Sequence, residues 1–517
     1  MPAEIDPVLL EVFNNRFSQV AEHMGHVLES TAHSVNIKER LDFSCALFDA
    51  EGRLIANAPH MPVHLGSMGA SVTHVLSEVG DLRDGDVYLI NSPYAGGTHL
   101  PDITAVSPWI SAQGELQYFV ASRAHHADVG GIAPGSMPAN STHIDDEGVL
   151  LDNLRVVRDG QFDTQALRHA LGSARWPSRN IDRNLSDIRA QIASLREGAR
   201  QLAQMRARFG AQTVARYMRA VRDNAAQCVR TVLRGLDGGH CTLTLDNGLV
   251  IAVSITVDRD TGSAVIDFSG SGGVHDGNFN APLAVTRAAT LYVLRTLVAH
   301  DIPLNDGCLC PVKLIVPPGS FLNPVYPAAV VAGNVETSQC VTNALYSALG
   351  VMASAQGTMN NLTFGNARVQ YYETIAGGTG AGDGFDGAHA VQSHMTNSRL
   401  TDAEVLESRL PVRIRSFSQR TNSGGRGKWC GGDGVVRHLE FLEDVDCAIL
   451  SGFRDSGPKG LRGGERGLPG ENVVYRGDGS RDVLAGVAST RLAAGDALLI
   501  RTPGGGGYGV IDDASEG

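Results

Sequence analysis

The first apolar pattern in the chain has helical spacing. Val8, Leu9, Val12, Phe13, Phe17, Val20, Met24 and Val27 recur every three to four residues, and Asp6-Pro7 ahead of them offers a capping carboxylate and a residue fitted to a first turn. The spacing predicts an amphipathic helix to about Ser30. LDFSCALFDAEGRLIANA then changes to short apolar runs on either side of Ala50-Glu51-Gly52, the pattern of a β-hairpin. GDVYLINSPYAGGTHLPDITAVSPWI starts as a strand, opens into glycine between Ala95 and Thr98, and returns to a strand after Asp102; GELQYFVASRAHHADVGG repeats that plan. From about Gln161 to Leu236 glycine thins out, and Ile188, Ile192, Leu195 and Leu202 keep roughly helical spacing, so two or three long helices are expected. LTLDNGLVIAVSITVDRDTGSAVIDFSG reads as a meander turning at Asp246-Asn247-Gly248 and Asp260-Thr261-Gly262, followed by a helix over Ala281–Ala299. The last third is densest in glycine, yet Val, Ile, Leu and aromatics continue between the glycines, which points to antiparallel β-structure with functional or interface loops. The expected fold is α+β, a multi-layer mixed α/β unit in four parts: an N-terminal α/β region over 1–160, a long-helix insertion over 161–236, a meander and helix over 237–330, and a Gly-rich, β-dominated part over 331–517.

Composition narrows the function. A formal net charge of −12, with no basic stripe, argues against a nucleic-acid surface, which must neutralise phosphates. No apolar run reaches the ~18 residues needed to span a bilayer. The N-terminal MPAEIDPVLL lacks the basic-then-apolar order of a secretory signal, and the eight cysteines form no CxxC pair. Reduced thiols in a cytoplasmic protein are expected.

The candidate chemistry lies in the two strand-end loops. His99 and Asp102 stand three apart in GGTHLPDIT, His125-His126 and Asp128 follow in AHHADVGG, and Asp42 precedes another strand. Imidazoles and carboxylates converging from adjacent strand ends suit Zn²⁺, Mn²⁺ or Fe²⁺, whereas loop polar groups satisfied by backbone are the alternative reading. The glycines around both motifs let side chains and a ligand crowd together. A phosphate loop of the GxxxxGK[ST] type is absent, Gly427-Lys428 lacking both the spacing and the Ser/Thr, so any ATP is expected on another subunit. His60 and His64 read as satisfied loop histidines, with a pair facing a site as the alternative. Asn334, Glu336, Glu373, His394 and Asn397 are polar residues in apolar surroundings that line a pocket or cap an element.

Several long stretches in order resemble the hydantoinase B/oxoprolinase family: NIKERLDFSCALFDAEGRLIANAPHMPVHLGSM, GDVYLINSPYAGGTHLPDIT, ASRAHHADVGG, NVETSQ, YYETIAGGTGAGDGFDGAHAVQSHMTN and RTNSGGRGKWCGGDG. Its members are subunits of ATP-dependent N-methylhydantoin amidohydrolases and caprolactamase, the C-terminal half of fused 5-oxoprolinases, and subunits of acetone and acetophenone carboxylases. The resemblance implies a metal held by Asp42, His99, Asp102 and His125, with His125 chosen over His126 because it holds the first position of HxxDVGG. His126 and Asp128 are then expected to orient the ligands and move protons. It further implies a hydantoinase A-type partner that binds ATP and Mg²⁺, a heterotetramer, and a small cyclic amide that the partner phosphorylates before metal-activated water opens the ring. The carboxylase branch is the alternative activity, and a non-catalytic scaffold a third.

Overall fold

A seven-stranded antiparallel sheet forms the first layer of the computed structural model, which describes residues 5–58, 60–300 and 302–511. Its order is Leu54–Asn57, Phe43–Asp49, Leu116–His125, Asp102–Ile110, Val87–Ile90, Leu154–Arg158 and Gln161–Phe162. Phe43–Asp49 is buried along its whole length because both faces are covered, so it shows none of the apolar–polar alternation of a half-exposed strand. Cys45 and Leu47 face one way, into a core shared with Phe13 and Phe17 of helix Pro7–Thr31 and Ile188 and Leu195 of helix Ile181–Phe209. Ala46 and Phe48 face the other way, onto Met68, Val72 and Val75 of helix Pro62–Glu78.

Asp6 caps the first helix as its sequence position implies, its Oδ1 accepting from Val8 N–H at 2.8 Å. Ile181–Phe209 and Ala211–Arg234 are the long helices, broken at Gly210, which sits at φ 84°. The meander Gly239–Thr244, Val250–Asp258 and Ser263–Asp267 forms a second sheet, to which Val312–Ile315 adds in parallel. Helix Leu283–Thr296 crosses Pro62–Glu78 so closely that a Cβ on Gly66 would lie 2.3 Å from Ala288 Cα. Within the part read as β, a helix appears at Ser338–Leu349, entered through a π-helical turn at Gly333–Thr337. Two further antiparallel sheets, of four and five strands, enclose a core that includes Leu362, Phe364, Leu439, Phe441 and Ile500. Among the described residues no helix is long and apolar enough to cross a membrane.

The C-terminal glycines stitch three loops together backbone to backbone. Gly432 N–H donates to Thr379 O at 2.9 Å, Gly505 N–H to Gly432 O at 2.8 Å, and Gly425 N–H to Gly505 O at 2.9 Å. A Cβ on Gly505 would lie 1.8 Å from Thr379 O, with backbone rather than a flexible side chain in the way. Gly505→Ala is therefore expected to lower unfolding free energy by ~3 kcal/mol or to prevent folding, read from the urea midpoint.

Candidate metal centre

Three neighbouring strands end together at one edge of the first sheet. Asp102 and His125 are register partners, and His125 N–H donates to Asp42 O at 3.0 Å, so three residues remote in sequence become neighbours. The loop carrying His99 is held tightly. Gly97 has no room for a Cβ, which would lie 2.4 Å from Asn91 O, while Asn91 Nδ2 donates to Leu100 O at 2.7 Å and Val149 O at 2.9 Å.

His99 Nε2 and His125 Nδ1 approach the same oxygen, Asp102 Oδ1, at 3.1 and 3.2 Å. Ligand atoms of these three buried residues lie within 4.8 Å of one another. Asp42 Oδ2 stands 3.9 Å from His125 Nδ1 and 3.8 Å from Arg40 Nη1. The other Asp102 oxygen, Oδ2, accepts from Thr98 Oγ1 at 2.5 Å and lies 3.1 Å from His64 Nε2. The His125 ring stacks on Tyr372, centroids 4.8 Å apart and 14° between planes. Arg40 Nη1 donates to Tyr372 O at 2.9 Å and lies over that ring.

The residues fit a metal. Both ring nitrogens of His99, His125 Nε2 and Asp102 Oδ1 are buried without a hydrogen-bond partner among the described residues, although such groups are normally satisfied. Burial alone would raise the Asp102 carboxyl, but the neighbouring His99 and His64 outweigh it and hold the group well below the usual carboxylate range. Burial lowers His125, favouring the neutral ring that offers a lone pair. The cavity these residues share with Asn334, Val335, Met359 and Thr396 measures ≈ 10 Å³, room for an ion or a water but not for a ring.

The other sequence candidates lie elsewhere. His126 turns to helix Ile181–Phe209, with Nε2 3.1 Å from Gln191 Oε1 and Nδ1 3.2 Å from Asn184 Nδ2. Asp128 accepts from the backbone N–H groups of Gly130, Gly135 and Arg179 and pairs with the Arg179 guanidinium at 3.0 Å. Both hold loops in place, and neither is brought against the Asp102 carboxylate. Glu373 pairs with Arg437, and His394 Nε2 meets Asn343 Oδ1 at 2.9 Å. Asn397 Nδ2 donates to His60 O at 3.1 Å. His60 is a satisfied loop histidine, its Nδ1 accepting Cys45 N–H at 3.0 Å. His64 is not: it belongs to the centre. The signal for it was Pro62, a first-turn residue that puts His64 on a helix rather than in a loop.

The buried groups around the centre make stability depend on pH from both sides. Burial takes His60 and His394 from 6.5 down to about 3, so the unfolded chain binds the extra protons and stability is lost as pH falls from 6.5 toward 3. Burial also pushes Glu147 up to about 7 and Glu336 up to about 8, from 4.5, so their contribution is full below 4.5 and is lost as pH rises through 7 and 8. Between 4.5 and 6.5 the two pairs oppose each other. Urea titrations are expected to show stability falling as pH drops below 4.5, where only the histidines act, and falling as pH rises from 6.5 to 8, where only the glutamates act; a monotonic profile would contradict the assignment.

The family model described as Hydantoinase B/oxoprolinase matches residues 6–511. A 5-oxoprolinase from Dictyostelium discoideum is 46% identical over 98% of this chain, which spans only 41% of that protein's length. Among solved structures, the ATP-dependent caprolactamase from Pseudomonas jessenii superposes with a TM-score of 0.86 at 24% identity, covering 98% of this chain and 91% of its own. Nucleotide-free acetone carboxylase gives 0.87 at 18% identity, covering 98% of this chain and 76% of its own. At these identities the two structures establish the shared fold, while the family match runs through every strand and loop that builds the centre: the chain belongs to the hydantoinase B/oxoprolinase family.

Proposed function

We infer that this chain is the metal-bearing part of an ATP-dependent hydrolase that opens cyclic amides such as 5-oxoproline, a hydantoin or a lactam. The observation that carries the reading is the buried His99, Asp102 and His125 group with its unpartnered ring nitrogens. Asp42, His99, Asp102 and His125 would hold a divalent Zn, Mn or Fe ion, a donor set all three accept. Such an ion, when bound, supplies Lewis acidity that polarises oxygen and lowers the pKa of water.

The chain's own residues orient and shield. Thr98 and His64 fix Asp102 through its second oxygen, leaving Oδ1 toward the two imidazoles. Arg40 offsets the Asp42 charge, and the Tyr372 ring fixes the plane of His125 while keeping water from that face.

An amide is a poor electrophile because its nitrogen donates into the carbonyl; phosphorylating the oxygen makes it a leaving group. This sequence has no phosphate loop, and the two solved relatives are ATP-dependent enzymes, which supports activation on a separate hydantoinase A-type subunit carrying ATP and Mg²⁺. More than half of the Dictyostelium 5-oxoprolinase lies outside the match, enough for such a part on one polypeptide. A heterotetramer of two chains of each kind is the assembly proposed.

The likeness to acetone carboxylase favours a second reading, ATP-dependent carboxylation. One experiment separates them: co-purify the chain with its ATP-binding partner and follow ADP release and ring opening over a panel of cyclic amides, with and without bicarbonate. Coupled ring opening without bicarbonate, abolished by His99→Ala, is expected. Turnover only with bicarbonate would move the assignment to the carboxylases, and full ring opening by His99→Ala would end the metal reading.

A further inference from the structure

The cavity beside His99 and His125, at ≈ 10 Å³, has room for one ion or one water, so the groups on its wall converge on a single occupant. Outside the Asp42, His99, Asp102 and His125 set, nearly every polar side chain on that wall is already engaged. Thr374 Oγ1 lies 2.7 Å from Ser398 Oγ, and Thr396 Oγ1 donates to the same hydroxyl at 3.4 Å. The Tyr372 hydroxyl donates to Asn361 Oδ1 at 2.8 Å, and His64 bridges Ser44 and Asp102. Asn334 is the exception: it is 3% exposed, and its Oδ1 has no hydrogen-bond partner among the described residues.

The turn that carries Asn334 is held without its side chain. Asn334 is the second residue of the π-helical turn Gly333–Thr337, a kind of turn that recurs at functional sites. Gly333 N–H donates to Asn278 O at 3.0 Å, and a Cβ on Gly333 would lie 1.9 Å from Asn280 O, so the start of the turn is pressed against that segment. Just upstream, Glu147 accepts from the Val330 and Val331 N–H groups at 2.9 and 3.0 Å. Downstream, Glu336 Oε1 accepts from Met359 N–H at 3.0 Å, Thr337 Oγ1 donates to Phe279 O at 2.7 Å, and Ser338 Oγ donates to Asn334 O at 2.5 Å. Backbone and neighbours fix where Asn334 stands. Its unpaired amide oxygen is then a buried cost that an occupant of the cavity would remove.

An amide carbonyl is a neutral, hard oxygen donor. Zn²⁺ is satisfied by four ligands, the number that Asp42, His99, Asp102 and His125 would supply on their own. Mn²⁺ takes more, and carboxylate and carbonyl oxygens suit it. A fifth donor of this kind therefore matters to one of these ions and hardly to the other.

We propose that Asn334 Oδ1 is a further protein donor at this centre and that it favours Mn²⁺ there relative to Zn²⁺. The proposal rests on the metal-bearing reading above and adds to it a ligand and a preference among the ions.

The test is competition titration of Mn²⁺ and of Zn²⁺ into the chelator-stripped full chain, wild type against Asn334→Leu, Asn334→Ala and Asn334→Asp, with the melting temperature of each stripped protein as a second readout. Asn334→Leu keeps the shape of the side chain without its oxygen; it is expected to weaken Mn²⁺ about tenfold or more and Zn²⁺ by no more than about threefold. Asn334→Asp keeps an oxygen in the same place and should hold Mn²⁺ at least as tightly as wild type. The stripped Asn334→Leu chain should melt no lower than the stripped wild type, because the substitution removes an unpaired buried polar group, whereas loss of a structural contact would lower it. Asn334→Ala serves where leucine overpacks the turn, with a smaller loss of Mn²⁺ affinity because a water can enter the space. Unchanged Mn²⁺ affinity in the leucine and alanine variants, equal weakening of the two ions, loss of Mn²⁺ binding in Asn334→Asp, or a lowered stripped melting temperature in the leucine and alanine variants alike would each overturn the proposal and leave the metal reading in place. A wild-type chain that binds neither ion would overturn both. Metal binding as expected with no ring opening of any amide would instead sink the hydrolase reading alone.

Discussion

Asp102→Asn is expected to abolish metal retention and to reduce ring opening by about three orders of magnitude or more. Asp102 touches four members of the centre at once: Oδ1 faces His99 and His125, and Oδ2 faces Thr98 and His64. An amide keeps the shape but removes the negative charge. It also forces an NH₂ group against either the two imidazoles or the Thr98 hydroxyl and His64. Breaking a buried, charge-balanced arrangement by neutralising one partner costs roughly 3–5 kcal/mol, and a loss of about 4 kcal/mol carried into the transition state is about a thousandfold in rate. Two readouts besides activity check it. Metal content by elemental analysis should fall from stoichiometric to background. Thermal stability of the wild-type chain should drop on chelation because a ligand of the native state has been removed, and that of Asp102→Asn should not respond. A variant that retains both metal and a chelator-sensitive melting temperature would show that the ion sits elsewhere.

The centre was partly legible in the sequence, and the reason is geometric. Strand ends carry side chains to one end of a sheet, so Asp42, His99, Asp102, His125, His126 and Asp128 could be grouped before any contact was known, and the family resemblance chose Asp42, His99, Asp102 and His125 among them. The same pleat limits what an adjacent pair can do. Consecutive residues at a strand end point to opposite faces, so His125 reaching Asp102 leaves His126 to the helix side, where Gln191 and Asn184 hold it. Arg40 and Tyr372 are 332 positions apart and meet only through the packing of a C-terminal strand against the first sheet. No local pattern records that contact. Helix Ser338–Leu349 escaped notice for a different reason: it is buried nearly all round, so its polar Gln339, Thr342 and Asn343 sit inside and no amphipathic stripe forms. The C-terminal glycines read as functional or interface loops, whereas many of their backbone partners are one another, in loops that brace the sheets.

Arg123→Met should lower stability strongly while leaving the metal ligands themselves unchanged. The guanidinium is 0% exposed, and burial lowers its pKa only to about 10, so it stays charged. It binds four acceptors: Nε to Thr104 Oγ1 at 2.7 Å, Nη1 to Ser67 Oγ at 2.5 Å, and Nη2 to Ser71 Oγ at 2.9 Å and Gly96 O at 3.0 Å. Those acceptors belong to three different segments. Ser67 and Ser71 lie on the helix that carries His64, Gly96 lies in the loop that carries His99, and Thr104 lies in the strand that begins at Asp102. A methionine of similar length fills the space but leaves the acceptors unsatisfied, at ~1–3 kcal/mol for each that finds no substitute, so a total loss of about 4 kcal/mol in urea unfolding is expected. Because the same bonds set the distance from His64 and His99 to Asp102, metal affinity should weaken about 10–100-fold in the protein that does fold. Arg123→Lys distinguishes charge from geometry. An ammonium has three donors at one point and cannot span the three segments, so it should recover part of the stability but little of the affinity. If lysine restored both, the residue would act through its charge on Asp102 alone, and the bracing account would fall.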